Sequence, residues 1–127
     1  MKPQIVLIDD DRLVNFINTN LIKKEFPEFE IIEFTNPQDG LKYLKDLPCT
    51  KNHIVLLDIN MPVLNGWQFL ERLEKEREEF QGVIHMLSSS ISPSDIAKAK
   101  EAPLVKSFIS KPLKKEHFEI IFSEKTH

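Results

Sequence analysis

Cysteine is almost absent from this chain: Cys49 is the only one, so no internal disulfide can form and a reducing compartment is the simple reading. Glycine is scarce as well, with three in 127 residues, and no Gly/Ser/Pro-rich or low-complexity stretch suggests a linker between domains. No apolar run approaches the length of a membrane span. The opening, Met1 to Asp10, holds too short a run for a signal peptide, and the expected location is the cytoplasm, with no membrane insertion. Charge of one sign is missing too. Seventeen basic and twenty acidic side chains leave a net charge of -3, and a pI near 5.8 weighs against direct nucleic-acid contact.

What is present fits one domain, expected over residues 1–127, with 41% apolar and 29% charged residues. Two kinds of apolar segment alternate. Short runs at 4–8, 31–34, 53–57, 83–87 and 107–109 are rich in β-branched or aromatic residues, and the first, third and fourth are nearly continuous in hydrophobicity. That continuity is expected of strands buried on both faces of a parallel sheet. Between them, spacing predicts helices. Leu13, Phe16, Ile17, Asn20, Leu21 and Lys24 follow i, i+3, i+4, i+7, with Pro27 ending the run near Phe26. Asn36-Pro37 reads as a cap and first helical residue, with Leu41 and Leu44 inward. A helix from Leu64 to about Phe80 carries Trp67, Leu70, Leu73 and Arg77. Ser92-Pro93-Ser94-Asp95 opens a helix through Lys100 that Pro103 closes, and a last helix is expected from Lys114 to Phe122. Five strand–helix alternations imply an α/β domain with both sheet faces covered.

Ligands in open parallel sheets bind beyond the carboxyl ends of the strands, so the polar residues that follow the apolar runs carry the chemistry. These are Asp9, Asp10 and Asp11, then Asp58, then Ser88 to Ser90, then Ser110 and Lys111. Carboxylates converging from two strands repel one another unless a cation lies between them, and Mg²⁺ takes carboxylates together with water and phosphate oxygens. Aspartate is also a nucleophile toward phosphoryl groups, and a metal, a lysine and a hydroxyl together neutralise the transferring group. Plainer roles compete residue by residue. Asp11 reads better as the cap of the first helix, Ser89 and Ser90 as loop, and Lys111 alone as an exposed loop lysine. Together, at the ends of successive strands, the set points to phosphoryl chemistry.

Four pieces, IVLIDDD (5–11), IVLLDINMPVLNGWQFL (54–70), MLSSS (86–90) and FISKPL (108–113), resemble the receiver domain of two-component response regulators over nearly the whole chain. The resemblance implies a flavodoxin-like doubly wound (βα)5 fold, a five-stranded parallel sheet of order 2-1-3-4-5. Asp58 then looks like the phosphoryl acceptor. Asp9, Asp10, Asp58 and the backbone carbonyl of Asn60 look like the Mg²⁺ site, with Asp10 the direct ligand and Asp9 acting through water. Ser88 and Lys111 stand where the family binds the phosphoryl group. Phe108 stands at its aromatic switch position, against the alternative of a ring packed permanently in place. Pro62 and Gly66 shape the loop after the acceptor strand, and the Lys111–Pro112 bond is expected cis, a minority geometry of roughly 5–6% of X–Pro bonds. Departures are few: no small Gly/Ala pair precedes the last strand, Asn65 replaces the commoner Asp before Gly66, and Ser90 occupies a variable position.

The function implied is a phosphoacceptor switch without an output domain, not an enzyme acting on a separate substrate. Its partners would be a histidine kinase or histidine phosphotransfer protein and a downstream protein, with a monomer or a phosphorylation-dependent dimer as the assembly. A Mg²⁺-dependent phosphatase would place D-x-D on the first strand, which Asp9 to Asp11 formally allow, but it leaves Asp58 unexplained. A binding-only pseudo-receiver is disfavoured by the complete set of Asp9, Asp10, Asp58, Ser88 and Lys111. His85, inside an apolar strand, is expected buried and hydrogen-bonded; His53, His117 and His127 share no metal-ligand spacing with it. Trp67 reads as packing and Cys49 as incidental.

Overall fold

A computed structural model describes residues 3–89 and 92–122, so Ser90 and His127 lie outside the described residues. Five strands, β1 (Gln4–Ile8), β2 (Glu30–Phe34), β3 (His53–Asp58), β4 (Val83–Ser88) and β5 (Val105–Ser110), form one parallel sheet of order β2-β1-β3-β4-β5. The helices are α1 (Arg12–Glu25), α2 (Pro37–Asp46), α3 (Gly66–Glu76), α4 (Pro93–Glu101) and α5 (Phe118–Ile121), the last preceded by a 3₁₀ turn at Lys115–His117. The alternation of elements implied a parallel α/β domain, and this is the flavodoxin-like form of it that the family resemblance implied.

Successive strand side chains alternate between faces, and two cores result. Val6, Ile8, Val55, Leu57, Ile84 and Met86 meet Leu41 and Leu44 of α2 and Phe69, Leu70 and Leu73 of α3. Ile5, Leu7, Leu56, Leu87 and Ile109 meet Ile22 of α1 and Phe118 and Ile121 of α5. Helix starts follow the sequence closely. Asp11 accepts from the Leu13 and Val14 amides, Asn36 from Gln38, and Ser92 from Asp95, while Asn65 and Gln68 form a reciprocal capping box.

Three expectations need correction. The expected inner stripe of α1 is mostly outside: Leu13, Phe16 and Ile17 are 63%, 59% and 53% exposed, Asn20 and Lys24 are exposed, and only Leu21 packs inward. Asn15, Asn18 and Ile22, which also share a helical face, are buried instead. The cause lies in the neighbouring strands: the Asn15 amide donates to backbone carbonyls at the ends of β1 and β2, which leucine could not do. Helix α3 ends at Glu76, not near Phe80, because Arg77 turns out of helical geometry. Its guanidinium then donates to the Leu44 and Lys45 carbonyls at the end of α2 (2.6 and 3.2 Å). The expected final helix is broken into the 3₁₀ turn and one short turn of α-helix, with His117 Nδ1 accepting from the Lys114 amide (2.9 Å). Strand β5 is also longer than its apolar run, with a register shift that pairs Ile84 with Val105 but His85 with Ser107.

Candidate functional site

The carboxyl ends of β1, β3, β4 and β5 bring Asp9, Asp58, Ser88 and Lys111 to one rim. Asp9 follows β1, Asp58 and Ser88 are the last residues of β3 and β4, and Lys111 follows β5. Asp9, Asp58 and Ser88 are buried, and Asp10 is exposed at the mouth. Lys111 Nζ lies 2.7 Å from Asp9 Oδ2 and 3.1 Å from Asp58 Oδ1, bridging the two buried carboxylates. Asp9 Oδ1 accepts from the Asp11 amide (2.9 Å), and Asp58 Oδ1 accepts weakly from the Asn60 amide (3.4 Å). The Lys111 amide donates to the Ser88 carbonyl (2.8 Å), and the Lys111–Pro112 bond is cis. Asp11 is a helix cap, as its position before α1 suggests.

Electrostatics follow from this crowding. Burial, reinforced by the charge of Asp9, pushes the Asp58 carboxyl up to about 6 against the opposing pull of Lys111. Burial alone would lower the Lys111 ammonium, but the carboxylates of Asp9 and Asp58 outweigh it and hold its pKa above the ordinary value. Oxygens of Asp9, Asp10 and Asp58 lie within 4.8 Å of one another. Asp10 makes no hydrogen bond or ion pair with any described residue, leaving its carboxylate available. An all-oxygen cluster of this size suits a hard divalent cation such as Mg²⁺.

The loop after β3 is tightly built. A Cβ on Gly66 would meet the Asp58 carbonyl and the Ile59 Cα at 2.9 Å, so only glycine lets α3 start this close to the end of β3. The Gly66 amide donates to the Ile59 carbonyl (2.8 Å). Pro62 is exposed, and its carbonyl accepts from the Leu64 amide (2.7 Å) around Val63, which has φ 70°. That is a γ-turn on the strained side, held by a β-branched residue 85% exposed. Phe108 is half-buried against the α2/α3 core. Trp67 packs on the same core, and its Nε1 donates to Asp95 of α4 (3.0 Å). His85 is buried, with Nδ1 2.6 Å from the Ser107 hydroxyl.

Two features escaped the sequence reading. Val63 gave no sign of its backbone strain. Asn15, whose amide reaches the Asp9 carbonyl (3.1 Å), was hidden by the apolar residues around it. Its only signal was a pair of asparagines, Asn15 and Asn18, sharing a helical face just after the acidic run.

The model of the response regulator receiver domain family matches residues 5–122. The chain belongs to that family. This receiver superposes on a two-component response regulator from Cytophaga hutchinsonii with a TM-score of 0.83 and 31% identity, covering 98% of this chain and 97% of that one. A receiver protein from Dyadobacter fermentans shares the fold at a TM-score of 0.80 and 24% identity, with 94% and 97% covered. The protein-glutamate methylesterase/protein-glutamine glutaminase of Desulfotalea psychrophila is 32% identical over 113 residues, 88% of this receiver and 30% of that protein. The receiver spans under a third of the length of the curated relatives it matches. No helix among its described residues is long and apolar enough to cross a membrane.

Proposed function

We propose that this receiver domain accepts a phosphoryl group on Asp58 from a phosphohistidine of a histidine kinase or phosphotransfer protein, in a Mg²⁺-dependent reaction. The observation that carries the reading is a buried strand-end carboxylate held 3.1 Å from Lys111 Nζ, with oxygens of two further aspartates within 4.8 Å. In the transfer an Asp58 oxygen bonds to phosphorus as the phosphorus–nitrogen bond to the donor imidazole breaks. The electron pair leaves with that nitrogen. Mg²⁺, when bound, supplies neutralisation of the phosphoryl oxygens. Asp10, Asp58 and the Asn60 carbonyl would hold it directly, and Asp9, already engaged by Lys111 and the Asp11 amide, through water. Lys111 keeps Asp58 in place before transfer and pairs with a phosphoryl oxygen afterwards, while the Ser88 hydroxyl donates to another.

Output passes through protein contact in the cytoplasm, with the receiver acting on its own carboxylate and on no separate substrate. The donor docks on the apolar stripe that α1 turns outward. Leu13, Phe16 and Ile17 are more than half exposed on α1, which Asp11 caps and which begins at Arg12, two residues after Asp10. Clustered exposed apolar side chains of this size mark interaction surfaces.

Intact-mass measurement after incubation with acetyl phosphate and Mg²⁺ tests the reading. One added phosphate on the natural sequence, absent from Asp58→Asn and absent when EDTA removes the metal, is the expected result. No adduct and no Mg²⁺ binding by a folded protein would overturn it.

A further inference from the structure

We infer that Asn15 is a positioning residue for the phosphoryl-accepting site, holding Asp9 so that the aspartate cluster can bind a divalent cation. The inference rests on the function proposed above. Asn15 is buried on α1 at a place where helical spacing would accept leucine. Its amide nitrogen donates to two backbone carbonyls, Asp9 (3.1 Å) and Phe34 (3.2 Å), at the ends of neighbouring strands. The Phe34 carbonyl also accepts from the Asp9 amide (3.1 Å), so Asn15 closes a small ring that holds Asp9 at both its N–H and its C=O. Two carbonyls cannot pair with each other, so the ring needs a side chain with two donors on one atom. A primary amide has them.

The grip on Asp9 matters because its side chain is the hub of the cluster. One oxygen accepts from the Asp11 amide and the other from Lys111 Nζ, which in turn reaches Asp58. A shift of the Asp9 backbone therefore moves the charge that faces Asp58 and the ammonium that bridges the pair. The Asn15 Oδ1, also buried, has no hydrogen-bond partner among the described residues. The orientation of the amide is thus set by its two donated bonds, with no acceptor bond to explain its burial.

Residues that orient metal-holding groups typically alter metal affinity by roughly 10–100-fold when replaced. Calorimetric Mg²⁺ titration of the full chain, without phosphodonor, separates positioning from mere support of the fold. Asn15→Leu, which keeps volume and removes the donors, is expected to weaken Mg²⁺ binding about tenfold or more. Asn18→Leu on the same buried face is expected to leave that affinity within about twofold, whatever it does to the melting temperature. Should Asn15→Leu fail to melt cooperatively, Asn15→Ala, which admits water to the two carbonyls, carries the test. Mg²⁺ affinity unchanged in a folded Asn15 variant, or loss of folding in both, would overturn the inference and leave Asn15 a structural residue. Failure of the natural sequence to bind Mg²⁺ would instead overturn the proposed function on which it rests.

Discussion

At the scale of single residues, the site carries a cost that pH can reveal. The Asp58 carboxyl sits at about 6 in the folded chain, pushed there by burial and then by Asp9, against an ordinary 3.8. Between those values the folded chain binds more protons than the unfolded one, so this destabilising contribution is full above pH 6 and fades as pH falls toward 3.8. Asp58→Asn is therefore expected to melt higher than the natural sequence at pH 7.5 in EDTA, by on the order of 2–5 °C, with the gain vanishing near pH 4. Equal melting temperatures at pH 7.5 would count against a buried charge that Lys111 compensates only in part. His85 acts with the opposite sign. Burial, and then the charge of Lys106, pushes it down to about 4, so stability present above its ordinary 6.5 is lost as pH falls toward 4. Because the two slopes oppose each other in the natural sequence, the Asp58→Asn variant should lose stability on acidification more steeply than the natural sequence does.

Among the elements, the α2–α3 pair is fastened by Arg77, which shares the helical spacing of Trp67, Leu70 and Leu73. Arg77 is buried, ends α3, and donates to the carbonyls of Leu44 and Lys45, while Lys45 pairs with Glu76 at 2.8 Å. A helix end leaves its last carbonyls without intrahelical partners, and here the neighbouring helix supplies the donor. Arg77→Met should keep the packing of the stem but strand two acceptors, costing about 1–3 kcal/mol in urea unfolding. A loss within about 0.5 kcal/mol, the range of ordinary surface substitutions, would show that water serves those carbonyls equally well. The bond from Trp67 on α3 to Asp95 on α4 ties a further pair beside the site. Its indole is the only tryptophan in the chain, which makes it a natural reporter on the contact between those helices.

For the molecule as a whole, the proposed metal binding is linked to folding. Three aspartate oxygens come together only when the ends of β1 and β3 lie side by side, so Mg²⁺ should favour the folded state over the unfolded chain. Raising Mg²⁺ from zero to about 100 times its dissociation constant is expected to stabilise the fold by about 2.7 kcal/mol, seen as a rise in melting temperature. In Asp10→Asn that rise should shrink, since this carboxylate is the one the protein leaves unengaged. A rise of equal size in the variant would remove Asp10 from the site.

Much of this protein is legible before folding because its local and global signals agree. Buried strands announced themselves as continuous apolar runs, caps at Asp11, Asn36 and Ser92 stood where helices begin, and the polar groups of the rim followed the strands that deliver them. Those features depend on a few neighbouring residues, which is what a sequence pattern records. Other features depend on what each segment meets across the fold. Two faces of α1 have helical spacing, and hydrophobicity alone picks the apolar one; the carbonyls of Asp9 and Phe34 accept from the Asn15 amide, which lies inward while Phe16 stays outside. The end of α3 is decided by the carbonyls of Leu44 and Lys45 on α2, 33 and 32 residues from Arg77 in the chain. The positive φ at Val63 lies in the same loop as Gly66, which sits against the end of β3, and no pattern of neighbouring residues announces it. Composition and periodicity determined which elements form and which groups reach the rim. Tertiary structure decided which face of a helix is buried and where it stops, because unsatisfied backbone groups on a neighbouring element outweigh the helix's own pattern.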